Sequence, residues 1–334
     1  MRDTQLDAYR SLSMMYIVCI IHLVYWMNFG NEPLKSLILI EMPVIFFISG
    51  ASLSFNKSNK TFAETLKNRI KRVVLPYYIY AAVMVLSIAI MSICNNCAGC
   101  DITSYNLKDI FKILLCIEIP QSPYSWHLWF IQPYMILSCA FVLQQRILNK
   151  VKPTLYILIN ILAFIIVEHL TEEPLPRHIF CYNIFMLAGY CYYRKISKKQ
   201  ILAILSMAAT FTIALYFLAN YSFTPMQDNK FPANKFFLCY TTVVLCILAL
   251  ILSYIKMPEN RYVKTWNTRG YTIYLYQNMV FFAAVSINNK LLHGIDNQII
   301  TGCIIITFIF TASTLLSYIT YPLEQYILSK IKFL

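Results

Sequence analysis

The chain has 334 residues, of which 59% are hydrophobic and only 13% charged, against roughly 45–50% and ~25% in soluble domains, so a normally polar water-facing surface cannot be built from it. The formal net charge of +13 is dispersed among short loops and forms no stripe, which argues against nucleic-acid binding and for membrane topology and contact with anionic lipid. With a mean hydropathy of +0.58, the chain reads as an all-α, polytopic membrane bundle.

The first apolar run, near 12–30, is read as a retained span. It is too long for the apolar core of a signal peptide, it carries His22, and Tyr25-Trp26-Met27-Asn28 follows with no small-residue cleavage pattern. Asp7 and Arg10 stand at its mouth, and His22 lies twelve residues beyond Arg10, about 18 Å deeper at ~1.5 Å per residue. Hydrocarbon cannot hydrate an ionisable group at that depth, so His22 serves either function or a packing hydrogen bond to a neighbouring helix. A second run follows at 36–55. Before the third, at 73–94, comes Lys67-Asn68-Arg69-Ile70-Lys71-Arg72-Val73-Val74-Leu75-Pro76. Its four cations, with Arg69 and Arg72 one helical turn apart on one face, suit either anionic phosphates or ordinary anchoring at the inner membrane surface.

The segment 106–119 interrupts its Leu, Ile and Phe with Lys108, Asp109, Lys112 and Glu118 and is read as an interfacial amphipathic helix. Ser125-Trp126-His127-Leu128-Trp129-Phe130-Ile131-Gln132-Pro133 opens the fourth span. Its tryptophans mark a membrane interface. Pro133 is expected to break helical bonding just below, which is tolerated at depth only where backbone lines a cavity or is buried in protein. Runs at 127–145, 151–168, a short one at 178–193, then 200–219, 236–255, 270–288 and 299–320 bring the count to ten spans of about 20 residues. Residues 1–334 are read as one membrane domain.

Placing the N-terminus inside puts 21 of the 28 Lys and Arg in inner segments and leaves Lys35, Lys108, Lys112, Arg177, Lys230, Lys235 and Lys290 outside. A bias of that size predicts an N-in, C-in arrangement. Of the eleven cysteines, Cys94, Cys97, Cys100 and Cys116 share the outer loop. Oxidation of a pair explains them more simply than a metal site, and the other seven read as small apolar packing residues. His169, His178 and His293 fall at or outside span ends and are expected to be solvated.

Five motifs in order on this ten-span profile resemble the acyltransferase-3 family of integral membrane O-acyltransferases. They are Leu6-Asp7-x-x-Arg10 followed by His22, Met42-Pro43-Val44-Ile45-Phe46-Phe47-Ile48-Ser49-Gly50, Arg69-x-x-Arg72-x-x-x-Pro76-Tyr77, His127-Leu128-Trp129-Phe130, and Tyr271-Thr272-Ile273-Tyr274-Leu275-Tyr276. Two departures stand out. Arg10 and His22 are one residue further apart than is usual in the family, and Gln277 stands near a position where relatives often carry histidine.

The resemblance implies transfer of an acyl group, commonly acetyl, from acyl-CoA (acetyl-CoA) on the cytoplasmic side to a hydroxyl of a sugar or other glycan acceptor of the cell envelope, in a bacterial plasma membrane. No permanently bound cofactor or metal is implied. A neutral imidazole can take the hydroxyl proton as it attacks the thioester, then protonate the leaving thiolate. His22 is the expected base, either directly or as a covalent acyl carrier. Asp7 and Arg10 organise the mouth, and Arg69 and Arg72 hold CoA phosphates. Glu41 orients His22, binds acceptor hydroxyls or makes a structural hydrogen bond. His127 and Trp129 position the acceptor, while Gln277 and Asn278 line the cavity or join helices. The competing expectation is a transporter or flippase that moves a lipid-linked sugar or envelope precursor without chemistry.

Overall fold

A computed structural model describes residues 3–55, 61–93, 105–122, 125–257, 260–292 and 297–331. Among them every named element is helical, with no β-strand. Several helices start where a side chain satisfies the first free N–H groups. Asp3 caps α1 (Thr4–Trp26) by accepting from the Gln5 and Leu6 amides. A Thr61–Glu64 capping box opens α4 (Phe62–Ile93), which follows α2 (Glu32–Ile38) and α3 (Glu41–Ser54). An Asn106–Asp109 box opens α5 (Leu107–Leu114). Then come α6 (Ile131–Leu148), α7 (Pro153–Leu170), α8 (Pro174–Tyr192), α9 (Lys198–Leu218), α10 (Met226–Lys230), α11 (Lys235–Leu252), α12 (Arg261–Leu291) and α13 (Gln298–Lys330).

Most of each of the ten apolar runs is helical among the described residues, with the run 36–55 split between α2 and α3 at Leu39–Ile40. Among the described residues, eight helices are long and apolar enough to cross a membrane. The two long helices outside that set are α8 and α12. In α8 the polar Arg177, His178 and Asn183 are buried, together with Cys181, Tyr182 and the stretch Ile184–Leu187, so its polar side chains meet protein and it needs no lipid-facing stripe. By contrast α7 and α9 expose Leu158, Leu162, Ile166, Phe211 and Phe217, as lipid-facing helices do.

The chain forms two compact units, Met1–Asn59 with Leu143–Asn267 (unit 1) and Lys60–Val142 with Thr268–Leu334 (unit 2). In unit 1 the most extensive packing joins α3 to α8. Glycine makes it possible: a Cβ on Gly50 would lie 1.8 Å from the Met186 carbonyl oxygen, and one on Gly189 would lie 1.9 Å from that of Phe47. Small residues at such crossings let backbones approach where lipid supplies no hydrophobic drive. In unit 2, α4 holds the amphipathic α5 by its C-terminal end, where the Tyr77 and Tyr78 hydroxyls donate to the Ile113 and Leu114 carbonyls at 3.0 and 2.7 Å. Carbonyls at a helix end need partners from beyond the helix, and that of Ile113 also accepts from the Cys116 amide at 3.0 Å. The observed α5 ends at Leu114, five residues short of the predicted 119, and exposes Leu107, Ile110, Phe111 and Leu114.

Two further expectations change. Pro133 does not break a span. It sits in the first turn of α6, after a 3-10 turn at Ser125–Phe130, where a missing N–H costs nothing. Lys35, Arg177 and Lys230 are not loop-surface charges, being 6%, 5% and 4% exposed. Lys35 pairs with Glu32 at 2.8 Å. Arg177 pairs with Glu172 and donates to the Glu168 and Thr171 carbonyls at the end of α7. The cysteines Cys94, Cys97 and Cys100, and His293, lie outside the described residues.

Candidate functional site

In unit 1 the site begins with α1. This helix is regular to Tyr16, widens into a π turn at Ile17–Ile21 and is regular again from His22 to Trp26. A π turn takes up one residue more than an α turn. Twelve regular residues at 3.6 per turn would rotate His22 about 120° from Arg10, whereas a helix that loses one residue to the bulge leaves about 20°. The extra residue between Arg10 and His22 is thereby absorbed, and the two side chains return to one face. His22 is 6% exposed, and its ring stacks on Trp26 one turn on, with centroids 4.2 Å apart and planes 5° apart. At the other end Arg10 lies 3.6 Å from Asp7 and donates to the Ser52 hydroxyl of α3. The Asp7 pair is half-exposed and contributes only about 0.3–0.5 kcal/mol; its role is to fix the guanidinium.

Glu41 is placed by an unusual helix end. The last carbonyls of α2 are satisfied by three tyrosines: Tyr25 donates to Lys35 at 3.0 Å, Tyr240 to Leu37 at 2.6 Å, and Tyr16 to Ile38. Three residues after Ile38, Glu41 starts α3 and is 3% exposed. One carboxylate oxygen accepts from Lys230, and Oε2 is buried with no hydrogen-bond partner among the described residues. Tyr16, Tyr25 and Tyr182 all lie close enough to feel its charge. Lys230 ends α10, whose Met226 amide donates to Ser36 of α2 at 3.0 Å. The Lys230 carbonyl meets His178 Nε2 at 2.9 Å. A carbonyl only accepts, so His178 carries its proton on Nε2.

His178 therefore corrects an expectation: it is 2% exposed, where the sequence suggested a solvated span end. The reason is that α8 begins at Pro174, which carries His178 into the second turn, and the Lys230 segment covers it. His169 is exposed, as expected.

Unit 2 holds the remaining predicted residues. The aromatic motif of α12 fastens three neighbours: Tyr271 donates to the Val73 carbonyl at 3.0 Å, Tyr274 donates to the His127 carbonyl, and the Tyr276 ring meets Tyr80 edge-on at 5.2 Å. His127 is 1% exposed and also packs edge-on against Tyr274, 5.1 Å between centroids; Trp129 is half-buried. Gln277 donates to the Tyr274 carbonyl of its own helix, and Asn278 reaches Met84 of α4 at 3.7 Å.

Arg69 and Arg72 do not form one clamp. The π turn Ile70–Val74 begins just after Arg69 and changes the winding between them. Arg69 donates to the Tyr134 hydroxyl at 3.0 Å and lies 5.4 Å from the centre of that ring. Arg72 instead lines a cavity of about 680 Å³ with Lys71, Tyr271, Thr272, Tyr321 and Glu324. Among the described residues no group of His, Cys, Asp and Glu is placed to hold a metal ion.

Thus Asp7, Arg10, His22 and Glu41 belong to unit 1, and Arg69, Arg72, His127 and Trp129 to unit 2. Sequence reasoning missed Lys230, His178 and Glu324. The signal for Lys230 was faint: a cation in a short segment between spans looks like any anchor until a buried carboxylate is found to need it.

The long apolar helices and the ionisable groups buried within them define a multi-pass membrane protein. A family model described as an acyltransferase domain matches residues 3–322, and the chain belongs to the acyltransferase-3 family of membrane acyltransferases. No curated protein and no solved structure matches the chain.

Proposed function

We propose that the chain is an O-acetyltransferase of a bacterial plasma membrane, moving acetyl from acetyl-CoA to a hydroxyl of a cell-envelope or exported glycan. The observation that carries the reading is the π turn of α1, which returns a buried His22 to the helix face of Arg10. An extra residue compensated by a local bulge is what a helix needs when the positions on either side of it must keep their relation.

In this reading His22 accepts the acceptor's hydroxyl proton while the oxygen attacks the thioester carbonyl. The C–S bond then breaks, and the imidazolium returns the proton to the thiolate. Arg10 and Asp7 organise the inner mouth, Glu41 held by Lys230 faces the acceptor, and Arg72 with Lys71 meets the donor phosphates. His127 and Trp129 offer the acceptor a ring surface. Both chain ends face inside. Burial of Lys35, Arg177 and Lys230 against partners removes three cations from the outer surface and strengthens the inner bias.

The test is radiolabelled acetyl transfer from acetyl-CoA by purified protein, with membrane glycan extract as acceptor. His22→Ala should lower the rate by about 10²–10⁴, the usual worth of general-base catalysis, with little change in CoA affinity. Undiminished transfer by the folded variant would remove His22 from the chemistry, and absence of any acyl transfer by active membranes would point to a transporter.

A further inference from the structure

The cavity of unit 2 is lined by charges of both signs, the cations exposed and the carboxylate buried. Lys71 and Arg72 are exposed, whereas Glu324 of α13 lines the same space and is 1% exposed. One of its oxygens accepts from the Thr272 hydroxyl at 2.5 Å; the other, Oε1, is buried with no hydrogen-bond partner among the described residues. Buried polar atoms nearly always have partners, so an orphaned carboxylate oxygen against a cavity calls for a donor from outside the protein. Tyr321, another lining residue, has the Arg269 guanidinium 5.6 Å from its ring centre. The volume of about 680 Å³ lies in the range of small-molecule sites.

The charge pattern narrows the ligand. A bare phosphate would be repelled by the floor, and a cation by the rim. What fits is a molecule with phosphates at one end and neutral N–H or O–H donors at the other. We infer that Glu324 and Thr272 form a subsite for the pantetheine arm of the CoA donor, Glu324 Oε1 accepting from an amide N–H or the hydroxyl of the arm while Lys71 and Arg72 take the phosphates. This rests on the donor reading above and adds a floor to it. The arm is the part that enters because the thioester must leave water before it is attacked, whereas the phosphates keep their hydration best at the rim.

Calorimetry on the purified full-length chain, with CoA and with adenosine 3′,5′-bisphosphate as probes, tests the assignment. Wild type should bind both. Glu324→Gln should weaken CoA about tenfold, the usual scale for a hydrogen bond to a charged group, and leave the bisphosphate unchanged; Arg72→Gln should weaken both. Thr272→Val, which removes the hydroxyl that donates to Glu324, should act in the same direction as Glu324→Gln, and it carries the test if the latter does not fold. Unchanged CoA binding in folded Glu324→Gln or Thr272→Val would overturn the subsite while leaving the donor reading intact. Equal loss of both probes in Glu324→Gln would overturn the assignment to the arm. Failure of wild type to bind CoA would overturn the donor reading and this inference together.

Discussion

The ion pair between Lys230 and Glu41 offers the sharpest energetic test in unit 1. Both side chains are almost fully enclosed, 5% and 3% exposed, and among the described residues Glu41 Oε2 has no donor, so the carboxylate leans on the Lys230 ammonium. Removing one member of such a pair leaves a bare buried charge and typically costs about 3–5 kcal/mol. With no second hydrogen bond to fall back on, Lys230→Met should lie toward the top of that range. Glu41→Gln sets a neutral amide against the buried ammonium, and the Phe231 ring, 5.0 Å from Nζ, offsets the lost charge pairing by about 0.5–2 kcal/mol. The double variant Glu41→Gln/Lys230→Met removes both charges and should recover most of the loss, since neutral replacements of buried pairs are often tolerated. Unfolding in mixed detergent micelles followed by tryptophan fluorescence, with all four proteins in one cycle, gives the coupling directly. A Lys230→Met protein within about 1 kcal/mol of wild type, or a double variant as unstable as the sum of the singles, would refute the reasoning.

At the α3–α8 crossing, Gly50→Ala places a methyl where only 1.8 Å is available to Met186. The helices must part, at a cost of about 1–3 kcal/mol or more, which a melting curve in detergent should show as a lower transition; an unchanged curve would contradict the close approach. Arg72→Gln should weaken acetyl-CoA binding more than Arg69→Gln, because Arg69 is engaged with Tyr134 while Arg72 lines the cavity. The Arg72 contribution should also fade at high salt, and equal effects of the two variants would restore the single clamp. Burial pushes the Cys116 thiol up to about 12. Below that value it stays protonated, so maleimide at pH 7–8 should spare it in native protein and modify it after denaturation, as peptide mass spectrometry can read; rapid native labelling would deny the burial.

Periodicity and charge made the helices legible, because hydropathy over about 20 residues records the solvent a span must face. The five motifs made the family legible. The wiring inside the motifs was not. Arg69 and Arg72 are three apart, and on a regular helix they share a face; only the backbone reveals a π turn between them. The long Arg10–His22 spacing stood out as a departure for the same reason, since nothing in Ile17-Val18-Cys19-Ile20-Ile21 distinguishes a π turn from an α turn by composition. Pairings across long sequence separations left even less trace. Glu41 and Lys230 are 189 residues apart, and hydropathy counts each of them merely as a blemish near a span end.

The three tyrosines that close α2 bear on how such a chain can change direction. A helix normally ends where water can reach its last carbonyls, which in a membrane means the surface. Hydroxyls brought in by Tyr16 and Tyr25 from α1 and by Tyr240 from α11 stand in for that water. The terminus of α2 is therefore released from the bilayer boundary, and the backbone can turn into α3 in a dry place. Some of this chain's 25 tyrosines thus act as portable solvent, and replacing one by phenylalanine, nearly the same shape, would dehydrate a helix end without disturbing any packing.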